Sequence, residues 1–476
     1  MIFSSTIFLF AFLPVVLFVY YVLLRGRTAR NNFLLLASLF FYAWGEPWFV
    51  LVMIGAIFAN WWFALQVERY HGQEVKTRLI LTGTVVFNLS LLFVFKYLMF
   101  SLNTVNGLFG TSINVPLINL PIGISFFTFH AISYVFDVHR QKGKAQKYPL
   151  NTGLYISLFP QLVAGPIVRY ETVFNQIHNR VETIDDFCAG VCRFIRGIAK
   201  KILLANTLAV VADKAFSMPA NELSVAFAWL GAAAYTFQIY YDFSGYSDMA
   251  LGLGKMFGFH FLENFDHPYA SRSVSEFWRK WHISLGTWFR DYLYIPLGGS
   301  RVKTKARLIF NLFVVWLMTG VWHGANWTFI CWGLFYFLLL TGEKLSGFDE
   351  SVKRGTRSPF PVKMLRHLYV ILAFMFGWVL FRAVDITHAL DYYRSMFAAA
   401  GNPLFDGMAY LYFMENKYFF LFAAVLSFPV YKAAKEKFGN SLFVELVAPL
   451  VYSLLFLICV SYMVKGSYNP FIYFNF

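Results

Sequence analysis

Two histidines set among tryptophans and glycines are the residues of this chain best suited to chemistry. His323 lies in Gly320-Val-Trp-His-Gly-Ala-Asn-Trp and His282 in Trp278-Arg-Lys-Trp-His-Ile-Ser-Leu. A neutral imidazole takes up a proton near pH 7, and it can also attack an electrophile as a nucleophile. Around His323, Gly320 and Gly324 admit close approach of backbone or ligand, while Trp322 and Trp327 can wall a pocket. A third polar cluster, Tyr241-Asp-Phe-Ser-Gly-Tyr-Ser-Asp, places Tyr241, Asp242 and Ser244 beside Gly245. A helix cap with surface acids explains it as well as a pocket lining does.

The elements that hold these groups belong to a membrane. The chain is 58% hydrophobic and 21% aromatic but only 14% charged, where a soluble domain carries about a quarter charged. Its apolar residues fall in long blocks with the charges between them, the pattern of spanning helices. Ile7 to Leu24 carries no charge and is followed by Arg25, Arg27 and Arg30. With basic residues after the block and no small-residue cleavage site, it reads as a first span whose arginine end is cytoplasmic.

Alternation then orders the rest. Phe33 to Trp44 and Trp48 to Gln66 flank a tight turn at Gly45-Glu-Pro, and Arg69, Lys76 and Arg78 form the next inner loop. Leu79 to Tyr97 leads out, Ser101 to Asn119 is an uncharged outer loop, and Leu120 to Val138 returns to a basic loop from His139 to Lys147. Further basic loops are expected at Lys344 to Arg366 and Lys432 to Lys437, and the whole at about ten to twelve spans. Topology and anionic inner-leaflet lipids account for the net charge of +15, so nucleic acid is not needed as a partner.

In this setting His323 is expected at a break between partial helices. From Ile309 to Trp322 there are too few residues for about 30 Å of hydrocarbon at about 1.5 Å per residue. His282 is expected on an amphipathic surface helix from Ser275 to Leu293, on a face shared with Trp278, Trp281, Leu285 and Phe289, with Arg279, Lys280 and Arg290 off that face. Cys188, Cys192, Cys331 and Cys459 have no matching ligand pairs, so no metal site is expected. Phosphate loops, nucleophile elbows and internal repeats are not found in the sequence.

The two histidine motifs, with Asp291-Tyr-Leu-Tyr-Ile-Pro-Leu-Gly-Gly, strongly resemble the membrane-bound O-acyltransferase family, and more narrowly its alginate O-acetylation branch. Leu120-Pro-Ile-Gly-Ile-Ser-Phe-Phe-Thr-Phe-His, Phe159-Pro-Gln-Leu-Val-Ala-Gly-Pro, Tyr241-Asp-Phe-Ser-Gly-Tyr-Ser-Asp and the ending Tyr468-Asn-Pro-Phe-Ile-Tyr-Phe match that branch too. The resemblance implies an all-α polytopic fold with tilted and re-entrant helices around a central tunnel, a single acyltransferase domain over residues 1–476. It places the catalytic histidine at His323 and the second active-site position at His282. It also implies that acetyl groups from a cytoplasmic donor, acetyl-CoA, are relayed across the inner membrane to a periplasmic transferase of the Ser-Gly-Asn-His hydrolase type, part of a polysaccharide secretion complex.

On that reading no cofactor is held permanently. Arg279 and Lys280 can meet the coenzyme A phosphates, with Trp278 and Trp281 beside them. Trp322, Gly324, Asn326, Tyr241, Asp242 and Ser244 line the pocket. His323 serves either as general base or as acyl-carrying nucleophile, and sequence does not separate these. Alternatives within the chemistry are peptidoglycan or cellulose acetylation and, more remotely, D-alanylation of teichoic acids. Outside it stand a transporter or flippase, which should show paired repeats or matched broken helices, and a scaffold for a secretion complex, which leaves the break at His323 without a reason.

Overall fold

The computed structural model describes residues 1–353, 358–438, 442–466 and 468–470, and among them all regular structure is helical. Residues 354–357 of the predicted Lys344 to Arg366 loop and the last four residues of the predicted C-terminal motif lie outside the described residues, and most of the rest of that loop is helical, in Phe348–Lys353 and the start of Phe360–Arg382. Six described helices are long and apolar enough to cross a membrane: Phe49–Arg69, Glu74–Phe109, Lys305–His323, Trp327–Ser346, Phe360–Arg382 and Leu446–Lys465. Other apolar blocks among the ten to twelve expected spans form shorter helices. The 16-residue helix Ile124–His139, for example, measures about 24 Å at about 1.5 Å per residue.

The chain forms two compact units, one of Met1–Phe194 with Tyr246–Leu262 and one of Ile195–Gly245 with Glu263–Phe476. In the first, the apolar helix Phe8–Leu23 opens and closes with π-helical turns at Phe8–Phe12 and Val19–Leu23. Phe3, Phe8, Phe12, Phe41 and Phe159 pack around it with ring centroids 5.1–6.4 Å apart. Arg27 and Arg30 are not free loop charges. Both pair with Glu182, which lies 3.0 Å from Nη2 of Arg27 and 3.5 Å from Nη1 of Arg30. Helices Phe49–Arg69 and Glu74–Phe109 are joined by a reciprocal amide pair: Asn60 donates to Asn88 at 3.1 Å and Asn88 to Asn60 at 2.8 Å. In hydrocarbon such pairs fasten one helix to another.

The Glu74–Phe109 helix continues through Ser101, so the expected outer loop shortens to residues 110–123. The Phe159-Pro-Gln-Leu-Val-Ala-Gly-Pro motif is a buried irregular segment between helices Pro149–Ser157 and Tyr170–Asn179. Non-helical backbone survives there because protein covers it. Ser38 Oγ accepts the Phe159 N–H at 3.0 Å.

In the second unit, helices Lys305–His323 and Trp327–Ser346 form a tight hairpin. Thr304 caps the first by accepting the Arg307 N–H, and Asn326 caps the second by accepting the Thr328 N–H. The two backbones touch at glycines: a Cβ on Gly320 would lie 2.5 Å from the Phe329 carbonyl oxygen, and one on Gly333 would lie 2.4 Å from that of Trp316. The predicted loop Lys432 to Lys437 is instead part of the helix Val430–Phe438.

Candidate active site

Glu343 sets the site from a distance. It is buried near the end of Trp327–Ser346, and its two carboxylate oxygens accept the N–H groups of Val274 and Ser275 at 2.6 and 2.8 Å. A carboxylate at a helix N-terminus satisfies otherwise unpaired donors and favours the helix dipole. Together with the Ser273 cap, which accepts the Glu276 N–H at 3.0 Å, it fixes the start of helix Val274–Lys280. From that start Trp278 reaches Trp316, Trp332 and Tyr336, with centroids 5.0, 5.4 and 4.8 Å away. Trp281 packs on Phe265, Phe277 and Trp378 at 5.1, 5.6 and 4.8 Å.

The continuous surface helix predicted from Ser275 to Leu293 is not what forms. Helix Val274–Lys280 stops, Trp281 is extended, and His282 adopts a left-handed conformation at φ 45° before helix Ile283–Phe289 begins. A positive φ without glycine is a strained backbone state of the kind found at functional sites. The break turns His282 into the interior, where it is 2% exposed. Its Nδ1 lies 3.1 Å from Oδ1 of Asn264, and its ring meets Phe243 at 4.6 Å and Trp322 at 6.2 Å. The turn lies outside the six helices long enough to span, and burial pushes the His282 imidazole well below its ordinary pKa, which favours the neutral ring.

His323 is the last residue of its helix. That helix starts at Lys305 rather than near Ile309, so with 19 residues it is long enough to cross, which corrects the expectation of a partial helix. The charged first turn explains the difference, since Lys and Arg at a span end reach for water along their apolar stems. The expected break after His323 is present, at Gly324 to Asn326. The ring of His323 is walled by Trp322, Trp332 and Phe381, at 5.0, 4.9 and 5.2 Å and near perpendicular. A Cβ on Gly324 would fall 2.2 Å from the Phe329 ring, so this glycine makes room for protein. Asn326 also donates through Nδ2 to the Val384 carbonyl at 2.7 Å. Two residues before Val384, Arg382 pairs with Asp213 at 2.7 Å.

Trp322 therefore brings the two predicted histidines together. The third cluster contributes differently from the expectation. Its residues lie inside the single helix Val225–Met256, not at a cap. Tyr241 donates to the Ala423 carbonyl at 2.6 Å, Asp242 pairs with Lys201 at 2.6 Å, and Ser244 is buried. The residue of this cluster that meets His282 is Phe243. Arg279 and Lys280 are each paired with a carboxylate, Asp349 at 3.0 Å and Glu276 at 2.8 Å. Sequence reading missed Asn264, Phe243, Trp332, Phe381 and Glu343. Only the buried acid in an apolar helix, Glu343, gave a signal that could have been followed.

What the geometry offers is a buried neutral imidazole and a second imidazole on a shared indole, both walled by aromatics. Such a site suits proton transfer or acyl transfer away from bulk water. The sequence profile of the membrane-bound O-acyltransferase family matches residues 36–383. The chain belongs to the membrane-bound O-acyltransferase family. A probable alginate O-acetylase, AlgI, of Pseudomonas putida is 44% identical over 84% of this chain and 80% of its own length. A peptidoglycan O-acetyltransferase of Helicobacter pylori is 34% identical over 85% of this chain and 81% of its own. A teichoic acid D-alanyltransferase of Bacillus subtilis is 29% identical over 46% and 58%. The protein is thus an O-acyltransferase of the membrane, and both histidine motifs lie within the matched family region.

Proposed function

We propose that this membrane-bound O-acyltransferase takes acetyl groups from acetyl-CoA at the cytoplasmic face of a bacterial inner membrane and passes them to a periplasmic acetyltransferase of the Ser-Gly-Asn-His hydrolase type. That partner then O-acetylates an exported polysaccharide, alginate in the first instance. The observation that carries the reading is the pair of histidines on one indole in a chain 44% identical to a probable alginate O-acetylase. The acceptor hydroxyl oxygen attacks the thioester carbonyl, the C–O bond forms and the C–S bond breaks. The hydroxyl proton passes to His323, and the departing thiolate is protonated in turn. In the covalent variant the His323 nitrogen receives the acetyl group first and yields it to the hydroxyl. Arg279 and Lys280 leave their carboxylates to meet the coenzyme A phosphates, with Trp278 and Trp281 behind them.

The test is labelled acetyl-CoA supplied to purified protein in lipid vesicles, with an acceptor hydroxyl present. Release or transfer of the label supports the enzyme, and a hydroxylamine-labile acetyl on the protein selects the covalent variant. Movement of intact substrate without acyl release would make it a carrier instead. The Helicobacter pylori relative favours a second glycan, peptidoglycan. Acetyl content of secreted alginate and of peptidoglycan in a deletion strain decides between them.

A further inference from the structure

Hydrogen bonds from three directions converge on one atom, Oδ1 of Asn264. The backbone N–H of Ser284 reaches it at 3.1 Å and the Ser284 hydroxyl at 2.8 Å. A main-chain N–H can only donate, so the atom it meets is the amide oxygen and not the amide nitrogen. The backbone adds a further tie, the Ile283 N–H donating to the Asn264 carbonyl at 2.9 Å. The same Oδ1 lies 3.1 Å from Nδ1 of His282, with the Ser284 hydroxyl 3.4 Å from that nitrogen. An amide oxygen has no hydrogen to give, and the Ser284 hydroxyl turns its one hydrogen to that oxygen at 2.8 Å, so this geometry favours the ring proton on Nδ1.

A neutral imidazole holds one proton, and which nitrogen holds it is set by the partner of the other. With Nδ1 protonated, Nε2 is a bare lone pair. Nε2 is buried and has no hydrogen-bond partner among the described residues, and the same is true of the Asn264 Nδ2. A buried acceptor that no protein donor meets is open to a bound group that brings its own hydrogen. Among the described residues, the side chains recorded against the ring, Phe243, Trp322, Asn264 and Ser284, carry no charge.

We propose that Asn264 is a positioning residue that locks His282 in its Nδ1–H tautomer and thereby presents Nε2 as a hydrogen-bond acceptor to a substrate O–H or N–H. The tautomer stands on the geometry alone, and only what Nε2 meets rests on the acyl-transfer reading. His282 is the catalytic residue in this pair and Asn264 acts through it.

The test reads the tautomer directly. Protein with ring-15N histidine in lipid vesicles is measured by solid-state NMR from pH 8 to pH 4, and the His282 signals are assigned by difference against His282→Asn. The expected result is an N–H resonance at Nδ1 and an unprotonated resonance at Nε2 across the whole range. Asn264→Asp keeps the acceptor oxygens but adds a charge, and a carboxylate favours the imidazolium. Protonation of His282 should then begin about one to three pH units higher than in the parent. Acetyl release from labelled acetyl-CoA should gain an acid limb shifted by the same amount, whereas a merely structural role would lower turnover equally at every pH. A proton at Nε2 in the parent protein, or an Asn264→Asp titration superimposable on the parent's, would overturn the proposal. Parent protein with the expected tautomer but without acetyl release supports it and overturns the acetyl-CoA reading.

Discussion

The indole of Trp322 lies 5.0 Å from the imidazole of His323 at an interplanar angle of 73°. The same indole meets His282 at 6.2 Å, so the two histidines rest against one aromatic side chain. Each is held by further partners of its own, and removing one imidazole should leave the other in place. His323→Ala is expected to accumulate normally and to lose acetyl transfer by at least about 100-fold, as for deletion of a general base. His323→Gln should fare no better, because an amide does not take a proton at neutral pH. Product acetylation at matched membrane levels of protein is the measurement, and near-normal acetylation by either variant would return His323 to a structural role.

The hairpin that carries His323 depends on two glycines in contact. Gly320→Val and Gly333→Val would each drive a side chain into a carbonyl oxygen of the facing helix. Both variants should fail to accumulate in membranes, read by immunoblot against the parent. Gly342→Val, at a site with open space in the same hairpin, should accumulate normally and serves as the control.

The Arg382–Asp213 ion pair supports the segment that borders the His323 turn, through Phe381 and through the Asn326 bond to Val384. Its partners are 31% and 35% exposed, so its effect on stability is modest, within about 1 kcal/mol. Activity should respond more strongly. Arg382→Asp is expected to reduce turnover several-fold, and the double exchange Asp213→Arg with Arg382→Asp to restore part of it. Turnover of the double variant no higher than the product of the single losses would show that the two residues do not act on the site as a pair.

Orientation can be tested in intact cells. The basic residues after helix Ile124–His139 and the uncharged segment before it should lie on opposite sides of the membrane. A cysteine at Lys144 should be shielded from a membrane-impermeant thiol reagent, and one at Asn114 should react. Both positions are exposed on the protein, so burial does not confuse the outcome. Labelling at Lys144 with protection at Asn114 would invert the topology.

Much of this architecture was legible in the residues. Hydropathy blocks and basic loops mark the helices Phe49–Arg69 and Glu74–Phe109, and the polar intrusions mark both histidines. The turn at His282 was not legible for a physical reason. Trp278, Trp281, Leu285 and Phe289 keep helical spacing through it, and no glycine or proline marks the left-handed residue. Asn264 was hidden as well, because its partners lie in a different segment and its own surroundings have no periodicity. The same holds for Lys201 with Asp242, where the sequence displays an acid in an apolar run but not the cation that neutralises it.

Helix Trp327–Ser346 has a further consequence for how this enzyme can change. At one end it is tethered to the His323 turn by the Asn326 cap, and near the other it bears Glu343, on which the segment leading to His282 is founded. It is a ruler between the two halves of the reaction centre. One inserted residue would lengthen it by about 1.5 Å and swing Glu343 round by about 100°, leaving the Val274 and Ser275 N–H groups without their carboxylate. Change in length is open to the 110–123 segment, whereas this helix is held to a fixed count of residues as well as to Gly333 and Glu343.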